Sequence, residues 1–430
     1  MTVQRCVVEG DGDSGANPVE PGADQSRHTW RDYVRALGPG MISGAADNDP
    51  TTVATMAVVG STTAYRLSLL TILVYPMLAA IQIISARVGT VTKRGLQRVV
   101  VKEYGRGWGF LLLLSILAVN VVTIAADLEG GAAALGLIFH VPWQWFIVPF
   151  AAAVLAMLVF GSYHAIQSAL KWVLLVFLAY VASALVAHPN WGAVLHDTVL
   201  PSLSFNHDVV QGALAILGTT LTSYAYVWES IEQAEERPPI TQLGLTRADA
   251  GIGMLLAVAV FWFILIGTAA TLGVHHKQVQ TAQDAAQALV PVAGPIAAYL
   301  FAAGLLASAI LAVPVIAATS AYVLGQEFGW RSSLSASPWR AVQFYAALGI
   351  SLAVGCAISF LGVSPIQLLL ISSIAGGVGT PVSLAFLLLV ANNRRIMGDE
   401  VPKRAVTIIG WATLLLVSAI SVYFLWQQFL

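Results

Sequence analysis

Three stretches of this sequence set acidic and hydroxyl side chains among apolar neighbours, and they define the chemistry on offer. The first is GMISGAADNDPTTVATM, residues 40–56, in which Asp47, Asn48 and Asp49 precede Pro50. Proline removes an amide donor and disfavours helical geometry in the residue before it, so a helix running through here breaks at Asp49. The carbonyls and carboxylates freed by such a break need a partner inside a bilayer, and a bound cation supplies one. The second is LAILGTTLTSYAYVWESIEQAEER, residues 214–237, with Gly218, Thr219, Thr220, Thr222 and Ser223 at its middle and Glu229 further on. The third is NVVTIAADLEGGAAALG, residues 120–136, which holds Asp127 and, two residues later, Glu129.

Each cluster also has a plainer explanation. A carboxylate at the centre of a bilayer costs roughly 2.5 to 3.5 kcal/mol on insertion scales and persists where it is paired, solvated or used. Asp47 and Asp49 flank Asn48 in a broken segment, which favours use over a structural pairing. Serine and threonine often back-bond within membrane helices or bring helices together, so the second cluster divides evenly between structure and binding. Asp127 is either a relay on an ion path or the anchor of a polar network. Glu229, Glu232 and Glu236 share a helix face near one end of their segment, and the outer members read as a solvated mouth. His164, His275 and His276 fall at loop edges without metal-ligand spacing. No phosphate-binding loop, nucleophile elbow, HExxH or dinucleotide fingerprint occurs, so nothing supports ATP-driven transport, hydrolysis or a cofactor.

The elements that position these clusters are set by composition. Of 430 residues, 57% are hydrophobic and 10% charged, against about 25% charged in an ordinary soluble domain. The mean hydropathy is +0.78, and a helix of about 20 apolar residues crosses a bilayer. Apolar segments at about 37–63, 67–87, 109–139, 143–161, 167–187, 208–234, 250–272, 293–323, 341–361, 365–391 and 405–427 predict an all-α polytopic membrane protein with about eleven spans. With a cytoplasmic N-terminus, nearly all Lys and Arg fall on inside segments and only Arg66 and Lys277 outside, as the positive-inside rule demands; the C-terminus is then outside. Residues 1–30 are rich in Gly, Asp, Pro and Ser and read as a disordered cytoplasmic tail ahead of a transmembrane domain, 31–430. The net charge of −1 gives no basic field for nucleic acid. Cys6 and Cys356 make neither a disulfide framework nor a zinc site. Interruptions in the first and sixth spans, the first of each five-span half, point to a 5+5 inverted repeat with its site at the midplane.

The same residues resemble a known family. Gly38-Pro39 followed by Asp49-Pro50-Thr51-Thr52-Val53-Ala54-Thr55 is similar to the first-helix Gly-Pro and Asp-Pro-Gly-Asn-x-Ala-Thr pattern of the natural resistance-associated macrophage protein (Nramp) family of divalent metal transporters. Ser85 to Thr92 (SARVGTVT) resembles that family's second-helix ending, Ala126-Asp127-Leu128 its third helix, and Asn392 to Gly398 (NNRRIMG) the end of its tenth. The matches run over about residues 36–398. They imply a LeuT-like fold in the plasma membrane, with a metal held by a first-helix Asp and Asn and a sixth-helix Met. Here Asp49 keeps its place, Thr52 stands for the Asn and Thr222 for the Met. Tyr224 and Glu229 replace two sixth-helix histidines, Ser373 replaces a tenth-helix Gln, and Gly130 replaces an acid one turn beyond Asp127. Loss of the thioether leaves oxygen donors, which suit hard cations. The resemblance is therefore closest to the divergent Nramp-related branch that includes magnesium transporters.

The expected function is import of a divalent cation, Mg²⁺ before Mn²⁺, by alternating access. Asp49 is the charged ligand, Thr52, Thr222, Asp47 and Thr219 are further metal-site candidates, and Asp127, Glu229, Tyr224 and Ser373 line the ion path. The partners are the metal ion and the bilayer, with no protein partner inferable. Two alternatives remain on the residues. One is an organic-cation or amine carrier on the same fold; Asp47 and Asp49 repel a carboxylate, which argues against amino acids. The other is a metal-binding membrane sensor, which predicts saturable binding without flux.

Overall fold

The structure is a computed structural model and describes residues 47–160, 181–182, 184–200, 206–237, 243–275, 277–290 and 294–429. The helices in chain order are α1 Pro50–Thr63, α2 Ser68–Thr92, α3 Leu96–Tyr104, α4 Arg106–Phe139, α5 Gln144–Phe160, α6 Trp191–Val199, α7 His207–Thr220 and α8 Ser223–Glu236. They continue with α9 Leu243–Thr271, α10 Ala282–Gln287, α11 Ala297–Phe328, α12 Val342–Ser359, α13 Pro365–Asn392, α14 Arg394–Met397 and α15 Arg404–Phe429. No strand occurs among the described residues. Helices alone satisfy the backbone within each segment, which is what an apolar solvent requires.

Seven of the described helices, α2, α4, α9, α11, α12, α13 and α15, are long and apolar enough to cross a membrane, and α5 is a shorter apolar helix. The sixth span is α7 followed by α8, two pieces of one path. The first span is described from Asp47 onward. The N-terminal tail, Gly38-Pro39 and most of the fifth span, with His164 and His276, lie outside the described residues.

The 34-residue α4 is the central post and packs along α11, α13 and α12. Around it, α1 lies against α9, α7 and α13, while α8 lies against α2. Lipid offers little hydrophobic drive for such contacts, so helices approach through small residues. At Gly218 on α7 an added Cβ would run into the Ser373 carbonyl and the Gly377 amide of α13. At Gly130 on α4 it would lie 2.9 Å from the Cβ of Pro50. The acid that the resemblance leads one to expect at Gly130 has no room here, because α1 begins against that glycine.

Candidate metal site

Asp49 is extended (φ −67°, ψ 167°) and forms the N-cap of α1, with Pro50 at the first helical position. Proline at that position loses no helical bond, since the first amides have no intrahelical acceptor, so one dipeptide both breaks the span and restarts it. One carboxylate oxygen of Asp49 accepts the Thr52 amide at 2.6 Å. The other accepts the Tyr224 hydroxyl at 2.9 Å. Thr52 in turn pairs its hydroxyl with that of Thr219 at 2.8 Å. Asp49, Thr52, Thr219 and Tyr224 thus join the two broken spans, and each is at most 2% exposed.

The sixth-span break is local chemistry as well. The α7 helix ends at Thr220, and α8 begins at Ser223 with Thr222 as its N-cap. The Thr222 hydroxyl donates to the carbonyls of Gly218 and Thr219, at 2.8 and 2.7 Å. Its proton therefore stays with the end of α7, and its lone pairs face outward from that bond. Thr222 sits at the break as expected, while Tyr224, expected on the path, is the residue of α8 that reaches Asp49.

Two further carboxylates surround this pair. Asp47 is 2% exposed and its Oδ2 has no hydrogen-bond partner. Asp127 accepts the Thr51 hydroxyl at 2.6 Å and the Thr51 amide at 3.2 Å through one oxygen, and its Oδ2 is also unpartnered. Asp127 is therefore a second cap on the N-terminus of α1, where the helix dipole favours negative charge. Among the described residues no Lys, Arg or His forms an ion pair with any of the three.

Ser373 and Glu229 lie apart from Asp49. Ser373 pairs with the Thr55 hydroxyl at 2.6 Å, one turn along α1 from Thr51 and Thr52. Glu229 accepts from Gln233 at 3.1 Å, and Gln233 accepts from Thr90 of α2 at 3.2 Å, placing Glu229 in a polar seam between α8 and α2. The residue is five positions beyond Tyr224, roughly 7 Å along the helix. Sequence reasoning overlooked Thr51 and Thr55. Their signal is the spacing Thr51, Thr52, Thr55, which stacks hydroxyls on one side of a helix. Glu129 is fully buried with both carboxylate oxygens unpartnered.

Compared with known proteins, residues 40–427 match the model of the family described as natural resistance-associated macrophage protein-like. A protein named divalent metal cation transporter MntH from Mycobacterium leprae is 27% identical over 97% of this chain and 96% of its own length. One of the same name from Deinococcus radiodurans is 27% identical over 91% and 89%. In fold, the chain is similar to a manganese transporter of Eremococcus coleocola, with TM-score 0.72 and 20% identity over 92% of this chain and 86% of that one. Mhp1, a nucleobase-cation-symport-1 family transporter, is also similar, at TM-score 0.56 and 16% identity over 90% and 92%. The family match spans both broken segments and every side chain placed at the site, and the chain belongs to the natural resistance-associated macrophage protein family.

Proposed function

We propose that the chain carries a hard divalent cation across the membrane by alternating access, with Asp49 as the charged ligand. The observation that carries this reading is the joining of both interrupted spans at Asp49, through Thr52, Thr219 and Tyr224, with Asp47 and Asp127 beside it and no basic partner among the described residues. Ionising neighbouring carboxyl groups in a low-dielectric interior is costly, and a divalent ion offsets that cost compactly. The contacts of Asp49 among the described residues come from hydroxyl and amide groups, without sulfur or imidazole. Such a donor set suits Mg²⁺ and Mn²⁺ and gives no advantage to softer metals.

Asp49 and Tyr224 are both buried in this conformation, at 1% and 2% exposed. Entry of a cation requires α1 or the α7–α8 break to part, and a metal reaching Oδ2 displaces the Tyr224 proton or shares the oxygen with it. Mg²⁺ is the first reading, since the donors named are oxygens, and the same set accommodates Mn²⁺. The names of the relatives, a manganese transporter among them, support Mn²⁺ as the second reading.

The test is influx of Mg²⁺, Mn²⁺ and Cd²⁺ into proteoliposomes, for the wild type and Asp49→Asn. Mg²⁺ and Mn²⁺ flux that exceeds Cd²⁺ flux, and falls at least 100-fold in Asp49→Asn, is the expected outcome. Cadmium transported best, or flux retained by the variant, would sink the assignment. Saturable binding without flux would favour a sensor, and flux of an amine in place of metal would favour an organic-cation carrier.

A further inference from the structure

The end of the bundle that charge asymmetry assigns to the cytoplasm contains a cavity of about 530 Å³ apart from the metal site. Its walls come from separate parts of the chain. Lys93, Arg94 and Arg98 line it from the α2–α3 link and the start of α3, and Arg237 from the end of α8. Ser332, Ser333 and Ser335, with Trp330, close it from the α11–α12 loop. Glu235 is its one acid among the described residues, held by the Tyr322 hydroxyl at 2.8 Å. The lining therefore carries four formal positive charges against one negative.

The cations are positioned by the fold. The Arg98 amide donates to Gln326 of α11 at 3.1 Å, and the Leu96 amide to Ser230 of α8 at 3.0 Å, so the start of α3 is tied to both neighbours. Trp330 is stacked on Phe328 with ring centroids 5.2 Å apart, which stiffens the opposite wall. Ion pairs among the described residues include none of Arg94, Arg98 and Arg237, all three of which are exposed. Arginine forks match phosphate oxygens two at a time, and serine hydroxyls complete such a cradle. A volume of this size exceeds what a single phosphate needs and falls within the ordinary range for small ligands.

We propose that this cavity binds an anion bearing more than one phosphate group, and that the bound anion braces the inner mouth of the transporter shut. An anion there bridges α3, the end of α8 and the α11–α12 loop. Those parts must separate if α8 is to swing away from α2 and open the metal site inward. The shared chemistry is phosphate oxygen against guanidinium, and its source is either a soluble polyphosphate or an anionic lipid headgroup. Binding itself does not depend on which cation is transported, so its test can be read even where metal flux fails.

The experiment measures thermal stability and equilibrium binding of the purified full chain with inorganic pyrophosphate, beside sulfate at equal ionic strength. A parallel arm compares vesicles of phosphatidylcholine with vesicles containing cardiolipin, whose headgroup carries two phosphates. Pyrophosphate is expected to bind saturably and more tightly than sulfate, and the double variant Arg98→Gln, Arg237→Gln is expected to weaken it at least tenfold. Ser335→Asp, at an exposed position that removes no packing, should weaken it similarly, while Arg394→Gln with Arg395→Gln should change nothing. Stabilisation by cardiolipin alone, abolished by the same variants, assigns the site to a lipid headgroup. Pyrophosphate trapped inside proteoliposomes should slow metal influx several-fold in the wild type and not in the double variant. Absence of binding in both arms, or binding that the variants leave intact, overturns the site, and binding without slowed influx overturns the brace.

Discussion

Tyr224 donates to the oxygen of Asp49 that a cation would need, so its hydroxyl and the metal compete for one atom. A hydrogen bond to a charged group contributes about 1.5 to 3 kcal/mol. Tyr224→Phe removes the competitor, and Mg²⁺ binding should tighten about tenfold, as measured by equilibrium titration; weaker binding would instead place the phenol oxygen among the ligands. Asp127 admits a similar dissection. Asparagine can keep accepting from Thr51 while losing the charge, whereas leucine loses the cap, worth roughly 1 kcal/mol. Asp127→Asn should therefore melt with the wild type and Asp127→Leu should melt lower, while a role on the ion path predicts reduced flux in both. If the asparagine variant transports normally, Asp127 serves only to cap α1. Asp49 and Asp127 stood out in the sequence because carboxylates in an apolar run demand an explanation. Tyr224 was harder to weigh, since a buried tyrosine is ordinary and its partner lies 175 residues away.

At the scale of helices, the breaks are written locally and the approaches between helices are not. Asp49-Pro50 announces the end of one helical piece and the start of another, and α1 begins at Pro50. Seven long apolar helices among the described residues were legible because apolar length alone specifies a membrane helix. Hydropathy treats α7 and α8 as one segment, and the division at Leu221 and Thr222 shows in the sequence only as a run of hydroxyl residues. The contact of α7 with α13 was not legible, as glycines at 218, 376 and 377 acquire meaning only when paired. A methyl group at Gly218 collides with backbone on α13, which cannot yield as a flexible side chain can. Gly218→Ala should lower the melting temperature by several degrees and reduce flux, and Gly218→Val should abolish both folding and flux. A Gly218→Ala variant that melts and transports as the wild type does would mean that α7 and α13 part readily during the cycle.

For the whole molecule, the arrangement of charge sets what can drive transport. The chain carries no nucleotide-hydrolysis motif, its candidate site lies among carboxylates without basic partners among the described residues, and the cargo proposed for it has two positive charges. Moving such an ion inward across a negative-inside membrane yields about 2 × 2.3 kcal/mol per 100 mV, enough to concentrate it more than a thousandfold at equilibrium without a coupled ion. The acid expected one turn beyond Asp127 is Gly130, and the space it would need is taken by Pro50. A second carboxylate one turn from Asp127 is thus missing while the electrical driving force is intact. A potassium-diffusion potential of about 100 mV imposed on proteoliposomes, negative inside, should raise the steady-state Mg²⁺ accumulation by two to three orders of magnitude with no change in internal pH. Accumulation that ignores the potential and follows an imposed pH gradient would show that Asp127, with Glu129 on the same helix, carries protons after all, and that the loss at position 130 has been compensated within α4.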